Sequence, residues 1–176
     1  MHWALLPRPD AILAAIEDQD GARQRLLKEL PPPRRVTPLR PRGSTHDLEA
    51  LLAHEIPRLP AIDVPAVTWG RWPSIPPRRR LRLGSCALPP HEPLIRIHPV
   101  LDHRTVPAWF VRFILFHELL HLAFPPEEVG TRRWLHPPAF RRAEASHLDH
   151  DRALAWERAH LDELILRCRQ RRAGAR

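Results

Sequence analysis

The chain has 176 residues, 43% of them hydrophobic and 27% charged, with a net charge of +8. That length suits one compact domain with an extension, and the balance is that of an ordinary soluble globular protein. No apolar run approaches the ~20 residues that cross a bilayer. Pro7, Arg8, Pro9 and Asp10 interrupt the apolar start, and no basic segment precedes it. Neither a membrane span nor a signal peptide is expected, and the cytoplasm is the expected location. Cys86 and Cys168 are the only cysteines, too few for a disulfide framework or a cysteine-based zinc site.

In chain order, the first expected element is a helix over 9–30, where Ile12, Leu13, Ile16, Leu26, Leu27 and Leu30 fall at helical spacing and Gly21 weakens the middle. The proline-rich stretch from Pro31 to Gly43 reads as an extended linker, so residues 1–43 form an appendage and 44–176 the main domain. Ser44-Thr45-His46-Asp47 opens a second helix carrying Leu48, Leu51, Leu52 and Ile56, which Pro57 stops. Three strands are expected at 64–72, 80–88 and 94–98, separated by proline clusters at 73–77 and 89–93. A mostly antiparallel meander is the economical arrangement. Thr105-Val106-Pro107 starts a helix with Pro107 in its first turn, and Pro125-Pro126 end it. A loop, a short helix over 137–145 and a long helix over 147–171 complete the chain before an arginine-rich tail.

The helix at 107–124 carries His117-Glu118-Leu119-Leu120-His121 inside an apolar run. Two histidines four apart lie on one helical face, so both imidazoles can bind a single Zn²⁺. The intervening Glu118 can then reach a zinc-activated water as general base. Two further His-Glu steps, His54-Glu55 and His91-Glu92, lack the second histidine and run into Pro57 and Pro93. A catalytic zinc site needs three protein ligands and an open position. Candidates for the third are His136, Glu144, His147, Asp149 and His150, with Glu144 alternatively an acceptor for a ligand imidazole.

Leu83-Gly84-Ser85-Cys86, the run Leu94 to Leu101, Phe116 to Leu122 and His136-Pro137-Pro138-Ala139-Phe140 together resemble the SprT-like metalloprotease family, which includes the YgjP-like and Spartan proteins. The resemblance covers about residues 64 to 145. It implies an α+β fold: a small zincin-like domain of the minigluzincin type, its short sheet packed on the H-E-x-x-H helix, with extra N- and C-terminal helices. It also implies Zn²⁺ held by His117, His121 and His136, and Glu118 as general base for peptide-bond hydrolysis. Pro137 replaces the small residue that follows the third histidine in the family. The chain has no Tyr, so a tyrosine oxyanion stabiliser is excluded and an Arg or His must substitute. Residues 1–43 have no counterpart.

Spartan-type proteins act on DNA-associated proteins, so DNA is a candidate partner beside the expected protein or peptide substrate; no membrane partner is expected. Arginines cluster at 34–42, 78–82 and 167–176, suiting phosphate neutralisation. Lys28 is the sole lysine and there are 22 prolines, so GC-rich coding bias explains the same composition. The competing function is a zinc-binding, non-proteolytic DNA-associated or adaptor module.

Overall fold

The computed structural model describes residues 38–60, 62–88, 91–129 and 132–173. The expected helix at 9–30 and the prolines at 31–33 lie outside them. The chain divides into Met1–Pro38 and Leu39–Arg176, and the second unit is described here. Its segment 39–43, read from the sequence as linker, is tied to the domain. Arg40 N–H donates to Thr68 Oγ1 at 2.8 Å, and Arg40 C=O accepts from Trp69 N–H at 3.0 Å.

Helix α1 (Leu48–Glu55) starts where Asp47 accepts the N–H groups of Glu49 and Ala50, two of the donors that a helix start leaves orphaned. Leu48 and Leu52 enter the core. One 3-10 turn, Ile56–Arg58, absorbs Pro57.

Strands β1 (Ala66–Trp69), β2 (Gly84–Ala87) and β3 (Leu94–Ile97) form a sheet in the order β1-β3-β2. β3 pairs parallel to β1, Val67 opposite Ile95, and antiparallel to β2, Cys86 opposite Ile95. The expected meander is therefore wrong: β3 inserts between the other two and the sheet is mixed. The connection at 70–83 explains this. It is too long for a tight hairpin and contains Pro73, Pro76 and Pro77, which cannot donate to a ladder. It carries the chain to the far edge, and only β2 and β3 form a hairpin. Arg80 to Leu83, which alternates well, precedes β2 and is not part of it.

Helix α2 (Ala108–Ala123) follows Pro107 and ends at Phe124, just before Pro125-Pro126. Phe110 and Ile114, on the histidine face, are buried and form one of several inward rows. Val111, Phe113, Leu115, Phe116, Leu119 and Leu120 are buried too, as befits a helix surrounded by other elements. It packs on α1, β2 and β3.

The next segment, expected as loop, contains an antiparallel pair, β4 (Glu127–Val129) and β5 (Arg132–Trp134). Its charged residues give no alternating apolar signal. Helix α3 (Pro138–Ala145) buries Phe140 against Phe116 and Leu120. Helix α4 (His150–Ala173) begins three residues later than expected, after a turn, and buries Ala153, Leu164, Ile165 and Cys168. Leu154 and Leu166, on the same helix, are exposed. The fold is α+β, with four helices and a small sheet among the described residues. None of these helices is long and apolar enough to cross a membrane.

Candidate metal centre

Helix geometry sets the first two imidazoles. His117 and His121 are one turn apart on α2, their ring centroids separated by 5.3 Å. His136 comes from the segment between β5 and α3, with centroids 5.1 Å from His117 and 5.0 Å from His121. Phe140, one turn into α3, lies within 5.2 Å of all three rings, centroid to centroid. Its own burial against Phe116 and Leu120 thus fixes the floor beneath the histidines. Each histidine offers one nitrogen, and the three nitrogens lie within 4.8 Å of one another.

The donor set suits a divalent ion. Tetrahedral zinc with Zn–N bonds of about 2.0–2.1 Å needs its nitrogens roughly 3.3 Å apart, which small side-chain rotations supply from this arrangement. His117 Nδ1 is 2.6 Å from Glu144 Oε1. Donating that proton to the carboxylate leaves the Nε2 lone pair free, the arrangement that orients ligating imidazoles. Burial opposes a charge on His117, but the Glu144 hydrogen bond and charge outweigh it and raise its pKa. The other two imidazoles favour the neutral form. Burial, then the charges of His117, His136 and Arg82, lower His121 to about 4; burial and then His117 lower His136.

Glu118 is only 5% exposed, yet it lines the same cleft of about 800 Å³ as the three histidines. Burial pushes its carboxyl up to about 7, against the opposing charges of His117 and Arg82. A carboxyl poised near neutrality can both accept and return a proton. Arg82, on the strand approach, is held by an Nε–H bond to Gly84 C=O at 2.9 Å.

The remaining candidates separate from the cleft. His147 Nδ1 accepts the Asp149 N–H, so its Nε2–H donates to Glu55 Oε2 at 3.1 Å. Glu55 also pairs with Arg58 and Arg112, and Arg112 with Asp149. This buried polar cluster joins α1 and α2 to the turn before α4. His150 pairs with Asp151. Sequence reasoning missed Glu55 and also Glu157, which lines the cleft from α4. The signal for Glu157 is its spacing of three from Leu154 and seven from His150. Of the arginine clusters, 78–82 and 167–171 adjoin, for Arg169 donates to Arg78 C=O at 3.1 Å.

No family model, curated protein or solved structure matches the chain.

Proposed function

We propose that the protein is a zinc-dependent peptidase of the SprT-like type, with His117, His121 and His136 as ligands and Glu118 as general base. The observation that carries this reading is the convergence of three imidazoles and one nearly buried carboxylate on a single open cleft. Zn²⁺ bound there would supply Lewis acidity to the scissile carbonyl and lower the pKa of water toward 7. Glu118 takes the proton of the attacking water on a carboxylate oxygen and returns it to the leaving amine. Glu144 holds His117 in the tautomer that presents Nε2. Arg82, whose charge acts on Glu118, is the cationic donor for the developing oxyanion in a chain without tyrosine. DNA-associated proteins are the substrate class favoured by the adjoining arginines at 78–82 and 167–171.

Metal analysis and a casein cleavage assay on wild type and Glu118→Gln test the reading. One zinc per chain in both, with cleavage reduced about 10²- to 10⁴-fold in the variant, is the expected result. Zinc in both proteins with no cleavage by wild type would make the chain a non-proteolytic zinc module.

A further inference from the structure

Helix α4 contributes Leu154 and Glu157 to the wall of the cleft. His150, Leu154 and Glu157, at spacings of four and three, share one face of that helix, and this face looks onto α2, since the His150 ring meets Phe113 at 6.0 Å. Leu154, Phe113, Ile114 and Glu157 all line the cleft. The wall is therefore apolar with one carboxylate set into it.

That carboxylate is uncommitted. Of the three carboxylates lining the cleft, Glu118 is assigned to proton transfer and Glu144 is engaged by His117. Glu157 forms no hydrogen bond or ion pair among the described residues, although it is half-buried. Burial raises its carboxyl, the neighbouring His117 only partly opposing this while Glu144 adds to it. Arg82 and Arg133 both line the cleft, and the charge of Arg82 bears on Glu118 and His121. Glu157 is thus the carboxylate that α4 contributes to the cleft.

We infer that Glu157 is a specificity-determining residue that selects substrates with a lysine or arginine beside the bond to be cut. This rests on the peptidase reading of the same cleft. A long basic side chain matches the wall chemically: its methylene stem covers Leu154 and Ile114, while its charged head reaches the carboxylate. The docked cation gives Glu157 a partner that it lacks among the described residues. The net charge of +8 repels basic peptides only over distances that salt screens, so the local pairing decides the preference.

The test uses zinc-loaded full-length protein and quenched-fluorescence peptides with Lys, Arg, Leu or Glu fixed in turn at each position around random neighbours. Wild type is expected to cleave the Lys and Arg sets with kcat/KM about 10- to 100-fold above the Leu set, the scale of a charge-assisted hydrogen bond. In Glu157→Gln this ratio should collapse toward one. Equal cleavage of all sets by wild type, or a uniform loss in Glu157→Gln that leaves the ratio intact, overturns the assignment. Fluorescence anisotropy of the same peptides on Glu118→Gln, with and without Glu157→Gln, separates selection from hydrolysis. If wild type cleaves nothing, tighter binding of Lys peptides that Glu157→Gln abolishes sustains the role of Glu157 while the peptidase reading falls. Binding that ignores the fixed residue removes the role as well.

Discussion

Gly84 and Glu118 pack so closely that a Cβ built on residue 84 would fall on the Glu118 carboxylate. The first residue of β2 thus lacks a side chain because the buried carboxylate of α2 occupies its place. Gly84 C=O also accepts from Arg82, so one backbone position sets both the carboxylate and the guanidinium beside it.

Gly84→Ala should accordingly disturb Glu118 without touching a metal ligand. The expected outcome is retained zinc with kcat/KM for peptides down about 10²-fold, the scale of an ångström-sized misplacement of a reacting group. Metal analysis beside steady-state kinetics checks it. Unchanged kinetics would mean that Glu118 can move aside freely.

Metal affinity should divide the residues around the histidines into two grades. Glu144→Gln keeps an acceptor for His117 Nδ1–H but removes its charge, and should weaken zinc about 10- to 100-fold. His136→Ala deletes a nitrogen from the trio and should weaken zinc further still. Competition with a chromogenic chelator ranks the two. Full zinc retention in His136→Ala would transfer the third-ligand role to an acidic group.

How much of this could be read beforehand differs by element. Helix α2 and its motif were legible because spacing, an apolar run and flanking prolines all agree between Pro107 and Pro126. His136 was one of five candidates on spacing alone. The family resemblance picked it out, and what the structure adds is the burial of Phe140 four residues later beside its ring, a packing fact invisible in the chain. Strand pairing failed because sequence distance favours hairpins, while Pro73, Pro76 and Pro77 send the chain across the sheet. Glu55 escaped notice, and His147 was read as a candidate metal ligand, because a bond between residues 92 positions apart leaves no local trace.

Breaking that long-range bond should be costly. Glu55 is 1% exposed, and its loss leaves the His147 Nε2–H and the nearby Arg112 charge without their acceptor. Glu55→Ala should lower stability by about 3 kcal/mol or more. Glu55→Gln, whose amide oxygen can still accept from His147, should lose less. Urea denaturation of the two variants decides, and equal losses would show that the charge of Glu55, more than its hydrogen bond to His147, holds this joint.

His98 should make stability depend on mild acid. Its Nδ1 accepts the Val100 N–H at 3.1 Å, and its Nε2 is buried without a partner among the described residues. Burial lowers its pKa to about 4. Between about pH 6.5 and pH 4 the unfolded chain binds a proton there and the folded one does not. Stability is therefore full above pH 6.5 and falls as pH drops through that window. Partial exposure limits the loss to the order of 1 kcal/mol. His98→Asn keeps a capping acceptor for the Val100 N–H and removes the titration, so the difference between wild type and variant should shrink toward neutrality. A difference constant from pH 4 to 7 would remove His98 as the source.

The position of β3 bears on how the domain comes into being. It is the middle strand of the sheet but the last of the three to be synthesised. β1 and β2 do not pair with each other, so a growing chain holds two strands without partners until residues 94–97 emerge. Helix α2 then meets a finished sheet but still lacks Phe140 and the His147 anchor for Glu55. Contacts at such separations carry a chain-entropy cost before they give any return. An incomplete chain that ends before His136 has two of the three imidazoles and none of the α3–α4 wall. The cleft is therefore complete only once α3 and the first turns of α4 have been made.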